Sequence, residues 1–167
     1  QVVLTLMHLT RPRWALFGRK DAQQLAIVSA MVRDLAVPLE IVPVDIRREE
    51  DGLAMSSRNA YLSATERGQA LALSRALEAG RQAAASGADA AGVRQAAAEL
   101  LAGAEGVEVD YVAVVDPDSF VERAGAGLGL PAADDAAAVA TTVTVLLALA
   151  AKVGSTRLID NTLVSLG

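Results

Sequence analysis

The sequence predicts an α/β chain, with a parallel βαβ unit followed by a small α+β domain. Two observations lead there. Trp14–Phe17, Gly18, Ala22–Ala36 and Leu39–Val44 read as strand, turn, helix and strand within about thirty residues, the length of a crossover unit. Beyond Ser63 the pattern changes to two Ala-rich helices and then three strand-like runs, which suits helices packed on an antiparallel sheet. These shifts divide the chain at 1–44, 45–62 and 63–167, the middle stretch being a junction.

The elements follow in order. Gln1–Leu9 is helical in pattern, with Val2, Leu6 and Leu9 on one face and Val3 and Met7 beside them. It opens with Gln and no capping residue, so the chain reads as truncated. Arg11-Pro12-Arg13 breaks that helix, and Trp14–Phe17 forms a short strand. In Ala22–Ala36, Leu25, Val28, Val32 and Leu35 recur at helical spacing, and Pro38 stops the run. Asp45–Tyr61 is polar and reads as irregular. Ser63-Ala-Thr-Glu66 fits a capping box, and Ser86-Gly87 closes the helix it starts. A second helix covers Ala90–Ala102. In Val107–Val115, Val107, Val109, Tyr111 and Ala113 alternate with Glu108, Asp110 and Val112 as in a half-buried strand. Ala124–Ala140 reads as a loop in preference to a short helix, and Val143–Lys152 and Arg157–Leu163 as paired strands.

Composition narrows the function. A net charge of −5 disfavours nucleic acid, whose phosphates demand an excess of Lys and Arg. The chain has no cysteine, which removes thiolate chemistry, and a single histidine, which removes His-based metal clusters. Val143–Ala151 is too short to span a bilayer, and no signal-peptide pattern opens the chain, so a cytoplasmic protein without membrane contact is expected.

Three polar clusters are candidates for chemistry. In Phe17–Gln24, Gly18 allows close backbone approach, the following helix start offers free amides, Lys20 brings a mobile charge and Gln24 an amide. The same residues also make an ordinary charged helix start, with Asp21 favouring the dipole. In Asp51–Asn59, Ser56 and Ser57 precede Arg58, whose forked donors suit a polyphosphate. An interdomain turn whose Ser and Asn satisfy backbone groups fits equally well. Gly154–Asn161 reads better as a hairpin with an Arg–Asp pair than as a site, and His8 as a packing residue rather than a base.

Taken together, Phe17–Gln24, Asp51–Asn59 with Tyr61-Leu62, Val109-Asp110-Tyr111 and Thr156–Asn161 resemble the pantoate–β-alanine ligase family over nearly the whole chain. The resemblance makes 1–44 the C-terminal remnant of a Rossmann-like nucleotidyltransferase domain. It makes 45–62 a junction carrying a KMSKS-like loop, Met55–Arg58, and 63–167 a C-terminal α+β domain. It implies an ATP-dependent ligase that joins pantoate to β-alanine through pantoyl adenylate, with Mg2+, and a homodimer. It places Gly18, Lys20, Asp21, Met55, Ser56, Ser57 and Arg58 at the nucleotide, with Lys20, Ser56, Ser57 and Arg58 acting on the phosphates and Gln24 on pantoate.

Departures from the family pattern are also legible. Arg19 stands where the family has Glu, Ala22 where it has Tyr, and Asp45-Ile46-Arg47 where it usually has Pro-Thr-Val. The family's His-containing phosphate motif has no match in these 167 residues. An isolated chain of this kind is expected to be inactive. The alternative is a diverged or non-catalytic member acting as a binding or assembly module.

Overall fold

The computed structural model describes residues 1–123 and 142–167, so the loop expected over Ala124–Ala140 lies outside the described residues. The chain divides into two compact units, Gln1–Ile46 and Arg47–Gly167.

In the first unit, α1 (Val2–Thr10) precedes β1 (Trp14–Gly18), α2 (Ala22–Asp34) and β2 (Glu40–Val44). The strands pair in parallel, Trp14 opposite Glu40 and Gly18 opposite Val44, with α2 as the crossover. Asp21 caps α2 by accepting from the Gln24 amide at 3.4 Å. The apolar face of α1 is largely uncovered: Val2, Leu6 and Leu9 are exposed, and Met7 is the residue that is buried. On α2, Val28 is buried, whereas Leu35 falls past the helix end and is exposed. His8 does not pack either. It is exposed, and its Nδ1 donates to the Leu4 carbonyl one turn back at 2.9 Å.

The second unit is built on α3 (Ala64–Ala85) and α4 (Ala90–Ala102), laid on an antiparallel sheet of β3 (Val107–Val115), β4 (Val143–Val153) and β5 (Thr156–Leu166) in that order. The capping box is complete: Ser63 Oγ accepts from the Glu66 amide, and the Glu66 carboxylate accepts from the Ser63 amide. Ala70, Leu73, Leu77, Gly80 and Ala84 recur at three- and four-residue steps and form the buried stripe of α3. They meet Val145, Leu147, Leu149, Ala151 and Val153, which alternate along β4, and Val93 and Leu101 of α4. Gly80 lets the helix approach closely, because a Cβ there would run into the Leu147 side chain.

Strand β3 departs from simple alternation. Its register with β4 shifts between Val109 and Tyr111, a bulge at Asp110. The extra residue reverses the phase of the strand. Tyr111, beyond the bulge, is therefore partly exposed, while Val112 and Val114 join Val107 on the helix side; Val109, opposite Ala151 before the bulge, keeps the phase of Val107 and is partly exposed near the strand start.

Asp45–Tyr61 also differs from the irregular stretch expected. Arg48 bridges Ala54 in antiparallel fashion, and the Glu49 and Met55 amides donate to the Leu53 and Arg47 carbonyls at 2.8 and 2.9 Å. Gly52, with φ of 90°, closes this tight hairpin. Leu53 belongs to the core of the second unit, so burial of its side chain holds down a segment whose other residues are largely polar.

Candidate functional site

Gly18 ends β1, and the Arg19 amide donates across to the Val44 carbonyl at 2.8 Å. A Cβ built on Gly18 meets nothing within 4 Å, so neither neighbours nor backbone angle demand glycine there. Open space over a strand end is what close approach of a ligand to the backbone requires. Lys20 is half-buried on the turn, and Gln24 is exposed on the first turn of α2. Asp21 is engaged as the cap of α2, so its carboxylate serves the helix start. Arg19 and Asp45 form an ion pair at 3.1 Å.

In the second unit, the Met55 amide is held by the hairpin while its side chain is about half exposed. Ser56 caps a short 3₁₀ turn, Ser57–Tyr61, by accepting from the Arg58 amide at 3.2 Å. Its hydroxyl therefore performs the backbone role that turn chemistry predicts. Ser57 and Arg58 face outward, and the Arg58 guanidinium donates to the Arg157 carbonyl at 3.4 Å. A cleft of about 510 Å3 lies beside the hairpin, bounded by residues 47–51, Met55 and Arg67.

Beneath this turn lies a polar network that sequence spacing did not reveal. Asn59 is buried, and its Nδ2 donates to Glu49 at 2.6 Å and to the Ala54 carbonyl at 3.1 Å. Arg67, from the first turns of α3, donates to the other oxygen of Glu49 and to Asp51 at 2.8 Å. The Asn59 amide and then the Arg67 guanidinium hold the Glu49 carboxyl below the usual range. The Leu53 amide, with Arg67, does the same for Asp51. Arg67 is raised in turn, by Glu49 first and Asp51 second.

The third cluster is structural, though its partners are not local. Arg157 pairs with Asp110 at 2.7 Å. Asp160 is buried and receives two donors from Arg48, at 2.7 and 3.1 Å, and the Asn161 amide at 2.8 Å. Among the described residues, no group of three or more His, Cys, Asp or Glu is placed to hold a metal ion, and no helix is long and apolar enough to cross a membrane.

Fold and loops define a mixed α/β chain that presents a bare glycine turn in one unit and an outward Ser–Arg turn in the other. The pantoate–β-alanine ligase family model matches residues 1–163, and the chain belongs to that family. The chain is 52% identical over 160 residues to a pantothenate synthetase of Anaeromyxobacter dehalogenans, covering 96% of this chain and 50% of that protein. A pantothenate synthetase of Thermobifida fusca is 51% identical over 162 residues, with the same coverage. The chain thus spans about half the length of these relatives, and the half it matches is their C-terminal portion. A crystal structure of pantothenate synthetase from Thermus thermophilus superimposes with a TM-score of 0.81 at 39% identity, over 96% of this chain and 53% of that one. A pantoate–β-alanine ligase from Francisella tularensis, solved with beta-gamma ATP and beta-alanine, gives 0.59 at 25% identity, over 97% of this chain and 48% of that one.

Proposed function

We propose that this chain is part of an ATP-dependent ligase that joins pantoate to β-alanine. The observation that carries this reading is the family match over residues 1–163, which includes both candidate turns. In the proposed reaction a pantoate carboxylate oxygen attacks the α-phosphorus of ATP, forming pantoyl adenylate as pyrophosphate leaves. The β-alanine amine then attacks the acyl carbon, AMP leaves, and the amine gives up a proton. The nucleophiles belong to the substrates, so the protein's part is to position them and to stabilise charge on the phosphates. Mg2+ would enter with ATP and would offset phosphate charge as pyrophosphate leaves.

Each residue has a role in this reading. The open turn at Gly18 admits the nucleotide close to the backbone, with Lys20 directed to the phosphates and Asp21 ordering the helix start beside them. Gln24 holds pantoate. Met55 lies against adenine, and Ser56, Ser57 and Arg58 hold the departing pyrophosphate. Residues 1–44 act as the remnant of a Rossmann-like domain, 45–62 as the junction with the KMSKS-like loop, and 63–167 as the C-terminal domain. The working protein is a cytoplasmic homodimer. The non-catalytic alternative is disfavoured by identities near 50% to proteins that are pantothenate synthetases.

The test is ATP–pyrophosphate exchange dependent on pantoate. The 167-residue chain alone should stay at background, because donors on only one side of the triphosphate leave most of the electrostatic stabilisation missing. A chimera that places the N-terminal half of the Anaeromyxobacter relative before this chain should exchange. Lys20→Ala or Arg58→Ala should each lower that exchange by about 100-fold, as for removal of one transition-state donor. A folded chimera without exchange, or variants as active as the chimera itself, would defeat the assignment.

A further inference from the structure

We infer that Asn59 and Arg67 are positioning residues that close the neck of the Met55–Arg58 loop, so that Ser57 and Arg58 are presented in one fixed orientation. This rests on the reading of that loop as a phosphate site, and it adds residues that do not touch the phosphate.

The geometry is that of a clasp. Ala54 and Asn59 flank the four loop residues, and the Asn59 Nδ2 donation to the Ala54 carbonyl at 3.1 Å joins the two ends directly. Asn59 is also the one buried residue of the 3₁₀ turn, so it serves as the anchor while its neighbours stay outside. Its second Nδ2 proton goes to Glu49 on the opposite arm of the hairpin at 2.6 Å. Glu49 is shared with Arg67, whose Nε reaches Asp51 near the hairpin tip at 2.8 Å. Loop, hairpin and helix start are thereby joined through one side-chain amide and one guanidinium.

The polarity of the network is specific. Both Nδ2 protons face acceptors, which fixes the orientation of the amide. The Oδ1 atom is buried with no protein partner among the described residues, a cost that a purely packing residue at this position would avoid. An asparagine held for its two donors explains why that cost is tolerated. The arrangement limits the loop without using the Ser57 or Arg58 side chains; the Arg58 guanidinium gives one donor to the Arg157 carbonyl and has others to offer a ligand. Preorganised donors gain most of their advantage from not having to be ordered at the moment of binding.

The experiment uses the 167-residue chain with inorganic pyrophosphate as the probe. Asn59→Asp is nearly isosteric but sets a carboxylate against the Ala54 carbonyl and Glu49. Amide exchange at Met55, Arg58, Asn59 and Leu62 should accelerate at least tenfold, while Leu147 and Leu149 in β4 exchange as in the parent. Pyrophosphate affinity in calorimetry should fall by about tenfold, the equivalent of one lost charge-assisted hydrogen bond. Adding Glu49→Gln to Asn59→Asp restores a donor–acceptor contact of reversed polarity and should recover part of both effects. If Asn59→Asp does not fold, Arg67→Lys, which replaces the fork with a single nitrogen, should show the same pattern at smaller amplitude. Unchanged loop exchange overturns the inference. So does accelerated loop exchange with unchanged affinity, or acceleration that extends equally to β4. A parent chain that binds no pyrophosphate at millimolar concentration defeats the phosphate reading instead, and loop exchange alone then decides whether Asn59 anchors the turn.

Discussion

Removing the guanidinium of Arg48 should destabilise the second unit far more than an ordinary surface pair would. Asp160 has only 2% of its side chain exposed, so its carboxylate depends on donors supplied by the protein. Arg48 supplies two of them and also donates to the Gly52 carbonyl at 3.1 Å, tying the hairpin to β5. In Arg48→Met the apolar stem is roughly preserved, but of these donors Asp160 keeps only the Asn161 amide. Leaving one member of a buried pair uncompensated costs about 3–5 kcal/mol. With a urea m-value of about 2 kcal/mol per molar, the midpoint should fall by about 2 M. Urea unfolding followed by far-ultraviolet circular dichroism measures this directly. The double variant Arg48→Met with Asp160→Leu should regain most of the loss, since replacing both charges removes the desolvation cost together with the attraction. A single variant within about 1 kcal/mol of the parent would place the pair in the class of screened surface bridges. A double variant no better than the single would show that the cost was packing rather than a stranded charge. Either result refutes the reasoning.

Two further perturbations test the frame around the site. Gly154, at the β4–β5 turn with φ of 56°, would place a Cβ against the Glu66 carboxylate that caps α3. Gly154→Ala should cost about 1–2 kcal/mol for the left-handed backbone and about 1 more for a disturbed cap, read as a lower melting temperature. An unchanged melting temperature counts against this account. Asp116 accepts from the Ser119 amide and hydroxyl, the Asp118 amide and Arg123, and its carboxyl lies at about 2, with the Ser119 amide as the largest cause and Arg123 next. Its ordinary value is about 3.9, so its stabilisation is complete above about pH 4 and is lost as pH falls toward 2. The stability gap between parent and Asp116→Asn should therefore close over that window in pH-dependent melts, and a gap that stays constant would refute it.

The sequence by itself determined the features that short-range physics controls. Helical spacing located α2, α3 and α4. The Ser63–Glu66 capping box began α3 at the right residue, and the strand–turn–helix–strand order identified the parallel pair of β1 and β2. The motifs spread along the chain were also enough to indicate the family. These signals depend on neighbours within one or two turns, and a sequence displays its neighbours. Tertiary structure alone decided which face of each element was used and which charges met. The bulge at Asp110 reversed the phase of β3, something alternation cannot foresee because the pairing strand lies over thirty residues away. The apolar face of α1, plain in the helical spacing, is left exposed at Val2, Leu6 and Leu9. Arg157 found Asp110 at 47 residues' separation, and Arg48 found Asp160 at 112. With 15 Lys and Arg and 20 Asp and Glu in the chain, composition permits many pairings. Burial then selects among them, since a carboxylate withdrawn from water is stable only where the fold brings donors to it.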